Sequence, residues 1–195
     1  DYTIILIGEN GHDETVGTMG WAPEHIKLVF TQEDVDNLEV VNPDRVSYIT
    51  QTTLSVDDCE RVIQALKRRF PNIQGPPKSD ICYATTNRQA AVNHLSPRAD
   101  IVLVVGDRES ANSNRLAEIC HTKGKPAYLI SSAAMIEESW LEGVEIILLT
   151  AGASAPETLV QGVLDYFSAR GPLEVEEAEV MMEDVHFKLP SELAA

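Results

Sequence analysis

The chain has 195 residues, 44% hydrophobic and 24% charged, and its 31 acidic and 15 basic side chains give a formal net charge of −16. That length suits one large domain or two small ones, and the acidic balance argues against nucleic acid, whose affinity comes mainly from Lys and Arg on phosphates. No apolar run approaches the roughly 18–20 residues of a membrane span, and three cysteines without a framework argue against a secreted disulfide scaffold and for a reducing compartment.

The chain opens at Asp1 and enters a β-like run by Thr3, with no initiator Met and no signal or transit pattern, which reads as a trimmed start. Strands are predicted at Thr3–Ile7, 26–30, Val46–Thr50, Ile101–Val105, Ala127–Ile130 and 145–150. Most are apolar on both faces, as in a parallel sheet covered by helices. Helices are predicted at 32–38, Val56–Arg69, 87–95, 114–123 and 156–169. The clearest is Val56–Arg69, with Ser55 as N-cap, an apolar stripe of Val62, Ile63, Leu66 and Phe70, and Pro71 just past its end. Gly75-Pro76-Pro77 breaks the pattern. The expected organisation is therefore α/β, with two similar small domains over 1–75 and 76–170, each a parallel sheet flanked by helices. An acidic tail over 171–195 holds seven acids against Lys188. The likeness of the halves rests on Ile4-Ile-Leu-Ile-Gly8 against Val102-Leu-Val-Val-Gly106. It also rests on the Ser/Thr/Gly loops that follow Thr50 and Thr150.

In such sheets ligands bind beyond the C-terminal ends of the strands, and five polar clusters fall there. Gly8-Glu-Asn-Gly-His-Asp-Glu-Thr-Val-Gly17 reads as a Gly-rich loop with His12 and Glu14 two apart. An imidazole and a carboxylate so placed can pass a proton to a ligand; the plain alternative is a surface loop. Thr50-Gln-Thr-Thr-Leu-Ser55 sets the hydroxyls of Thr52 and Thr53 where they orient a ligand or Glu14, or simply cap and turn the chain. Within Asp80-Ile-Cys-Tyr-Ala-Thr-Thr-Asn-Arg-Gln89, Cys82 lies near a helix start, as a small buried hydrophobe or as a thiolate metal ligand. Cys59 and Cys120 fall within predicted helices and read as packing. In Gly106-Asp-Arg-Glu-Ser-Ala-Asn-Ser-Asn114, the side chains of Ser110, Asn112, Ser113 and Asn114 precede a helix. They suit a phosphate beside free helix N–H groups, or an ordinary N-cap. Thr150-Ala-Gly-Ala-Ser-Ala-Pro156 lets backbone approach a ligand and offers Ser154 as a second wall of the same anion pocket. The histidines His25, His94, His121 and His186 have no partner pattern, and Trp21, Trp140, Met181 and Met182 read as packing.

Together, Gly11-His-Asp-Glu-Thr-Val-Gly-Thr-Met-Gly20, Thr50-Gln-Thr-Thr-Leu-Ser-Val-Asp-Asp58, Ile81-Cys-Tyr-Ala-Thr-Thr-Asn-Arg-Gln89, Ser113-Asn-Arg-Leu116 and Thr150-Ala-Gly-Ala-Ser-Ala-Pro156 resemble the 4-hydroxy-3-methylbut-2-enyl diphosphate reductase family, also called IspH or LytB, through about residue 168. The resemblance implies a three-domain, trefoil-like architecture around a [4Fe–4S] cluster, with this chain covering most of the second domain, the third and the tail. It implies that Cys82 is one of three cysteine ligands, and that Ser110, Ala111, Asn112 and Ser154 hold the substrate diphosphate. His12 is then near that diphosphate, Glu14 protonates the substrate hydroxyl, and Thr52 hydrogen-bonds nearby. The implied reaction is reductive dehydroxylation of an allylic diphosphate to isopentenyl and dimethylallyl diphosphate. The implied electron donor is a ferredoxin or flavodoxin, and the implied compartment is the bacterial cytoplasm, or the plastid stroma in a plant or alga. Asp13 stands where the family usually has Pro, which leaves that loop less rigid, and Ala111 stands where a Ser is common, which keeps only its N–H. The family's N-terminal domain, with two further cluster cysteines, is not in this sequence, so the chain alone is expected to hold no cluster and to be inactive. The rival reading is a non-redox phosphate-binding module that uses the Ser110, Asn112 and Ser154 pocket.

Overall fold

The structure is a computed structural model that describes residues 2–178, 180, 181 and 190. Met182, His186 and most of the acids assigned to the tail lie outside the described residues.

The aliphatic runs form β1 (Thr3–Ile7), β2 (Ile26–Val29), β3 (Val46–Thr50), β4 (Ile101–Val105), β5 (Ala127–Ile130) and β6 (Ile147–Ala151). They make two wholly parallel sheets, ordered β2-β1-β3 and β5-β4-β6. The central strand β4 is buried at every position, which is why it is apolar throughout. The helices are α1 (Asp13–Trp21), α2 (Gln32–Asn37), α3 (Val56–Arg69), α4 (Tyr83–Leu95), α5 (Ala111–Thr122) and α6 (Glu157–Ser168). The α/β class and the parallel sheets with helical cover are as the sequence implies.

Helix α3 illustrates how local chemistry sets an element. The Ser55 hydroxyl accepts from the Asp58 N–H at 3.2 Å, Asp57 and Asp58 sit in the first turn, and Lys67, Arg68 and Arg69 sit in the last. Both charge sets complement the helix dipole. Its buried stripe of Cys59, Val62, Ala65 and Leu66 packs into the first core with Ile5, Ile7, Val46 and Phe70. Ile81, although past Gly75-Pro76-Pro77, belongs to that same core.

Five expectations need correction. Residues 8–17 are not a loop throughout, because α1 begins at Asp13. Thr15, Val16, Gly17, Thr18 and Gly20 are poor helix formers, and the helix stands on its His12 cap and on Thr15 buried beneath Gly8. Helix α4 begins at Tyr83 rather than at 87, and α5 begins at Ala111 rather than at 114. In both cases an earlier residue, Cys82 or Ser110, supplies the cap. Asn112, Ser113 and Asn114 thus lie in the first turn of α5 and do not precede it. Strand β6 starts two residues late because the Asp100 carboxylate takes the N–H groups of Glu145 and Ile146, both at 2.9 Å. Trp21 does not pack: it ends α1 with 91% of its surface exposed, and Met181 is 47% exposed. Trp140 does pack, stacked on Tyr128 at 3.9 Å between centroids.

The two sheets correspond residue by residue around their central strands. One residue after β1 and after β4 stands a glycine, Gly8 or Gly106. Four residues on stands an N-cap, His12 or Ser110, and the second helical position holds Glu14 or Asn112. Ile7 pairs with Thr50 and Val105 with Ala151, so the partner of Thr50 in the repeat is Ala151, one place later than the motif match to Thr150.

Candidate functional site

The first half of the site is built where β1 and β3 end. Gly8 is required there, since a Cβ on it would lie 2.4 Å from the Thr15 methyl. The buried Gln51 side chain then ties the two strand ends together: its Oε1 accepts from the Glu9 N–H at 2.9 Å and its Nε2 donates to the Thr53 hydroxyl at 3.1 Å. The Thr15 hydroxyl lies 2.7 Å from the carbonyls of both Glu9 and His12, fixing the turn between them.

His12 caps α1 with its ring. Its Nδ1 accepts from the Glu14 N–H at 3.1 Å. A nitrogen that accepts carries no proton, so the neutral ring holds its proton on Nε2. Asp13 occupies the first helical position, where a proline would also fit. Glu14, one residue on, reaches across to β3. Its Oε1 accepts from the Thr52 N–H at 2.9 Å and its Oε2 from the Thr52 hydroxyl at 3.0 Å. The Thr52 hydroxyl can rotate from donor to acceptor, so this residue can hold Glu14 with or without its proton.

The same Thr52 reaches Cys82. The Cys82 N–H donates to the Thr52 carbonyl at 3.1 Å. The Cys82 sulfur caps α4, accepting from the Thr85 N–H at 3.4 Å and lying 3.0 Å from its hydroxyl. It is partly exposed. Cys59 and Cys120 are buried in the two separate cores, and burial pushes both thiols up to about 11, so they are protonated packing groups at neutral pH. Among the described residues no three His, Cys, Asp or Glu side chains converge to hold a metal ion. Cys82 therefore fits a single ligand position, and this chain's described residues do not complete a cluster site.

The second half of the site lies where β4 and β6 end. The Ser110 hydroxyl accepts from the Ser113 N–H at 3.3 Å and pairs with the Ser113 hydroxyl at 3.1 Å. Ser113 fills the space between two glycines: a Cβ on Gly106 or on Gly152 would lie 2.2 Å from its Oγ. Asn112 is 5% exposed, yet among the described residues neither its Oδ1 nor its Nδ2 has a partner. A buried amide normally finds partners, and the first-turn N–H groups of Ala111 and Asn112 beside it have no intrahelical acceptor either. Ser154 lies exposed in the turn after β6 and makes no hydrogen bond to Ser110 or Asn112. The structure thus joins His12, Glu14, Thr52 and Cys82 in one network and groups Ser110, Ala111 and Asn112 at one helix start.

Sequence reasoning gave no role to Gln51, Gln89 or Arg115. Gln89 Nε2 donates to the Leu54 carbonyl at 2.8 Å and its Oε1 accepts from the Val56 N–H at 3.0 Å, so α4 caps the start of α3. Its signal was the helical spacing of Thr85, Gln89 and Val92, all buried. A search for apolar stripes alone passes over it.

Comparison with known proteins bears on this geometry. A family model described as "LytB protein" matches residues 1–168. A curated relative from Azoarcus sp. (strain BH72), named 4-hydroxy-3-methylbut-2-enyl diphosphate reductase, is 50% identical over 97% of this chain and 61% of its own length. A relative of the same name from Streptomyces avermitilis is 49% identical over 99% of this chain and 57% of its own. The solved structure of the E-1-hydroxy-2-methyl-but-2-enyl-4-diphosphate reductase from Plasmodium falciparum is similar with a TM-score of 0.82 and 39% identity, over 86% of this chain and 52% of that one. The chain thus spans about 60% of the length of the curated relatives it matches.

Proposed function

The chain belongs to the LytB protein family, and we propose that it forms the proton-donating and diphosphate-holding part of a 4-hydroxy-3-methylbut-2-enyl diphosphate reductase. The observation that carries this reading is Thr52, which holds the Glu14 carboxylate with its N–H and hydroxyl while its carbonyl holds the Cys82 N–H. A proton donor and a potential thiolate ligand are thereby fixed to one residue. Cys82 supplies one ligand of a [4Fe–4S] cluster, whose other ligands come from residues beyond those described. When bound, that cluster supplies the two electrons of the reaction.

In this reading, Asn112, Ser110 and the free N–H groups at the start of α5 hold the substrate diphosphate through neutral dipoles, with Ser154 swinging in from the β6 turn. His12 presents Nε2–H toward the same anion. Glu14 passes a proton to the allylic hydroxyl, which leaves as water. Two electrons and a second proton complete the balance and give isopentenyl or dimethylallyl diphosphate. The reduced donor is a small ferredoxin or flavodoxin, and the setting is a bacterial cytoplasm or a plastid stroma. Among the described residues no helix is long and apolar enough to cross a membrane. The unit boundary belongs at Gly75-Pro76, with 1–75 and 76–170 as the two α/β units and 171–195 as an acidic tail.

The test is anaerobic turnover of the full-length, cluster-loaded protein with a chemical reductant. Glu14→Gln should lower kcat by about 100-fold or more, the usual scale for a positioned general acid, and should leave inorganic pyrophosphate binding unchanged. Wild-type protein that binds pyrophosphate but never turns over would instead favour a phosphate-binding module without redox chemistry.

A further inference from the structure

Arg115 projects from α5, one turn past Asn112, and its side chain is only 16% exposed. Its guanidinium meets three carboxylates: Glu118 on its own helix at 2.7 Å, Glu9 after β1 at 3.3 Å, and Asp58 in the first turn of α3 at 3.4 Å. Two of these lie in the first unit, while Arg115 lies in the second. Each contacted element carries one part of the site. Glu9 is in the turn that Thr15 and Gln51 hold against His12 and Glu14. Asp58 bonds the Ser55 cap, three residues from Thr52. Helix α5 starts with Ser110, Ala111 and Asn112. A planar cation with five fixed donors can set the angle between such elements, which a lysine point charge cannot.

We propose that Arg115 is a positioning residue that fixes the distance between the diphosphate pocket of α5 and the Glu14–Thr52 pair. This rests on the functional reading above. Arg115 touches no substrate. It acts only on ligands long enough to engage both halves at once. A ligand confined to the start of α5 does not sense it. Half-buried ion clusters with more than one carboxylate per cation lose register when the cation goes, because the carboxylates are left to repel one another.

The test uses calorimetry on the full-length, cluster-loaded protein with two probes: inorganic pyrophosphate, which reads the pocket alone, and the 4-hydroxy allylic diphosphate, which reads both halves. Arg115→Gln is expected to weaken the allylic diphosphate at least fivefold while changing pyrophosphate less than twofold. Arg115→Lys should recover part of the loss. If Arg115→Gln fails to fold, Glu9→Gln removes one of the two cross-unit contacts and should show the same split at a smaller size. In the Arg115→Gln background, Glu14→Gln should no longer change allylic diphosphate affinity. Equal weakening of both probes, or of neither, overturns the positioning role. Ser110→Ala is the separate control. If it leaves pyrophosphate binding intact, the reading of the pocket itself fails and the role of Arg115 falls with it.

Discussion

The turn after β1 and the turn after β4 share one plan, and they differ most at the second residue of the helix that each leads into. In the first unit that residue is Glu14, and the residue opposite it after β3 is Thr52, which takes both carboxylate oxygens. In the second unit the same position holds Asn112, and the residue opposite, after β6, is Ala153, which has no side-chain donor to offer. Among the described residues Asn112 is buried with no side-chain partner. One plan therefore yields a satisfied acid and an unsatisfied amide. The acid can exchange a proton without changing its position. The amide's hydrogen-bonding capacity is unused among the described residues. The shared frame thus differs at two facing positions, Glu14 with Thr52 in the first unit and Asn112 with Ala153 in the second.

Making the second unit resemble the first should have the largest effect. Asn112→Asp places a carboxylate where phosphate oxygens are proposed to sit, and even at an effective dielectric of about 20 the repulsion reaches several kcal/mol. Pyrophosphate affinity should fall by roughly a hundredfold or more, measured by calorimetry at fixed ionic strength. An unchanged affinity would mean that Asn112 faces no anion.

The glycines sharpen the comparison next. Gly106→Ala meets both the Oγ and the Cβ of Ser113, at 2.2 and 2.7 Å, whereas Gly152→Ala meets the Oγ at 2.2 Å but the Cβ only at 3.4 Å. A Cβ cannot move without backbone, so Gly106→Ala should cost about 2–3 kcal/mol, the upper range for overpacking. Gly152→Ala should cost about half that figure. Adding Ser113→Ala should rescue Gly152→Ala and leave Gly106→Ala largely unrescued. Chemical denaturation of the four variants checks this. Equal rescue of both would show that the Ser113 hydroxyl alone is the obstacle at each glycine, and rescue of neither that Ser113 is not the obstacle.

Removing the feature that only the first unit has comes third. Thr52→Ala leaves Glu14 the backbone N–H but takes away the hydroxyl, as Ala153 does opposite Asn112. Turnover should fall roughly tenfold, the size of one lost hydrogen bond, with pyrophosphate affinity unchanged. A loss in pyrophosphate affinity of the same size would mean that Thr52 serves the anion and not the acid.

The same comparison explains what the sequence made legible. β1, β3, β4 and β5 match their predicted bounds to the residue, most plainly in β4, where a strand buried at every position carries no polar side chain. α3 was equally plain, since cap, stripe and dipole charges agree. α1 was not, because its residues argue against a helix and only its His12 ring cap and the burial of Thr15 hold it. The partnership of Glu14 with Thr52 was open as one of three readings, beside a ligand contact and plain capping, since each residue is polar and follows a strand. The isolation of Asn112 could not be read at all. It is a property of side-chain packing, and the motif match of Thr50 to Thr150 sets the repeat one residue early.

The smallest expected effect compares one carboxylate from each unit that lies outside the site. Asp34 accepts from the N–H groups of Phe30 and Thr31 at 2.9 and 2.7 Å, and those backbone bonds hold its carboxyl below its ordinary value. Asp100 accepts from Ile146 and Glu145, and its carboxyl is lowered in the same way. A group whose folded pKa is depressed contributes stability above its unfolded value, near 3.9, and loses it as pH falls through the folded one. Both carboxyls should therefore steepen the loss of stability below about pH 4. Asp34→Asn and Asp100→Asn should each flatten that acid limb and lower stability at neutral pH. Because Asp34 is largely solvated, its share should stay below about 1 kcal/mol, in the range of a single helix cap. Urea midpoints measured from pH 2.5 to 7 separate the two units. If the Asp100→Asn limb flattens and the Asp34→Asn limb does not, the bonds at the start of β6 govern acid unfolding, and the two units lose stability independently even though they share one plan.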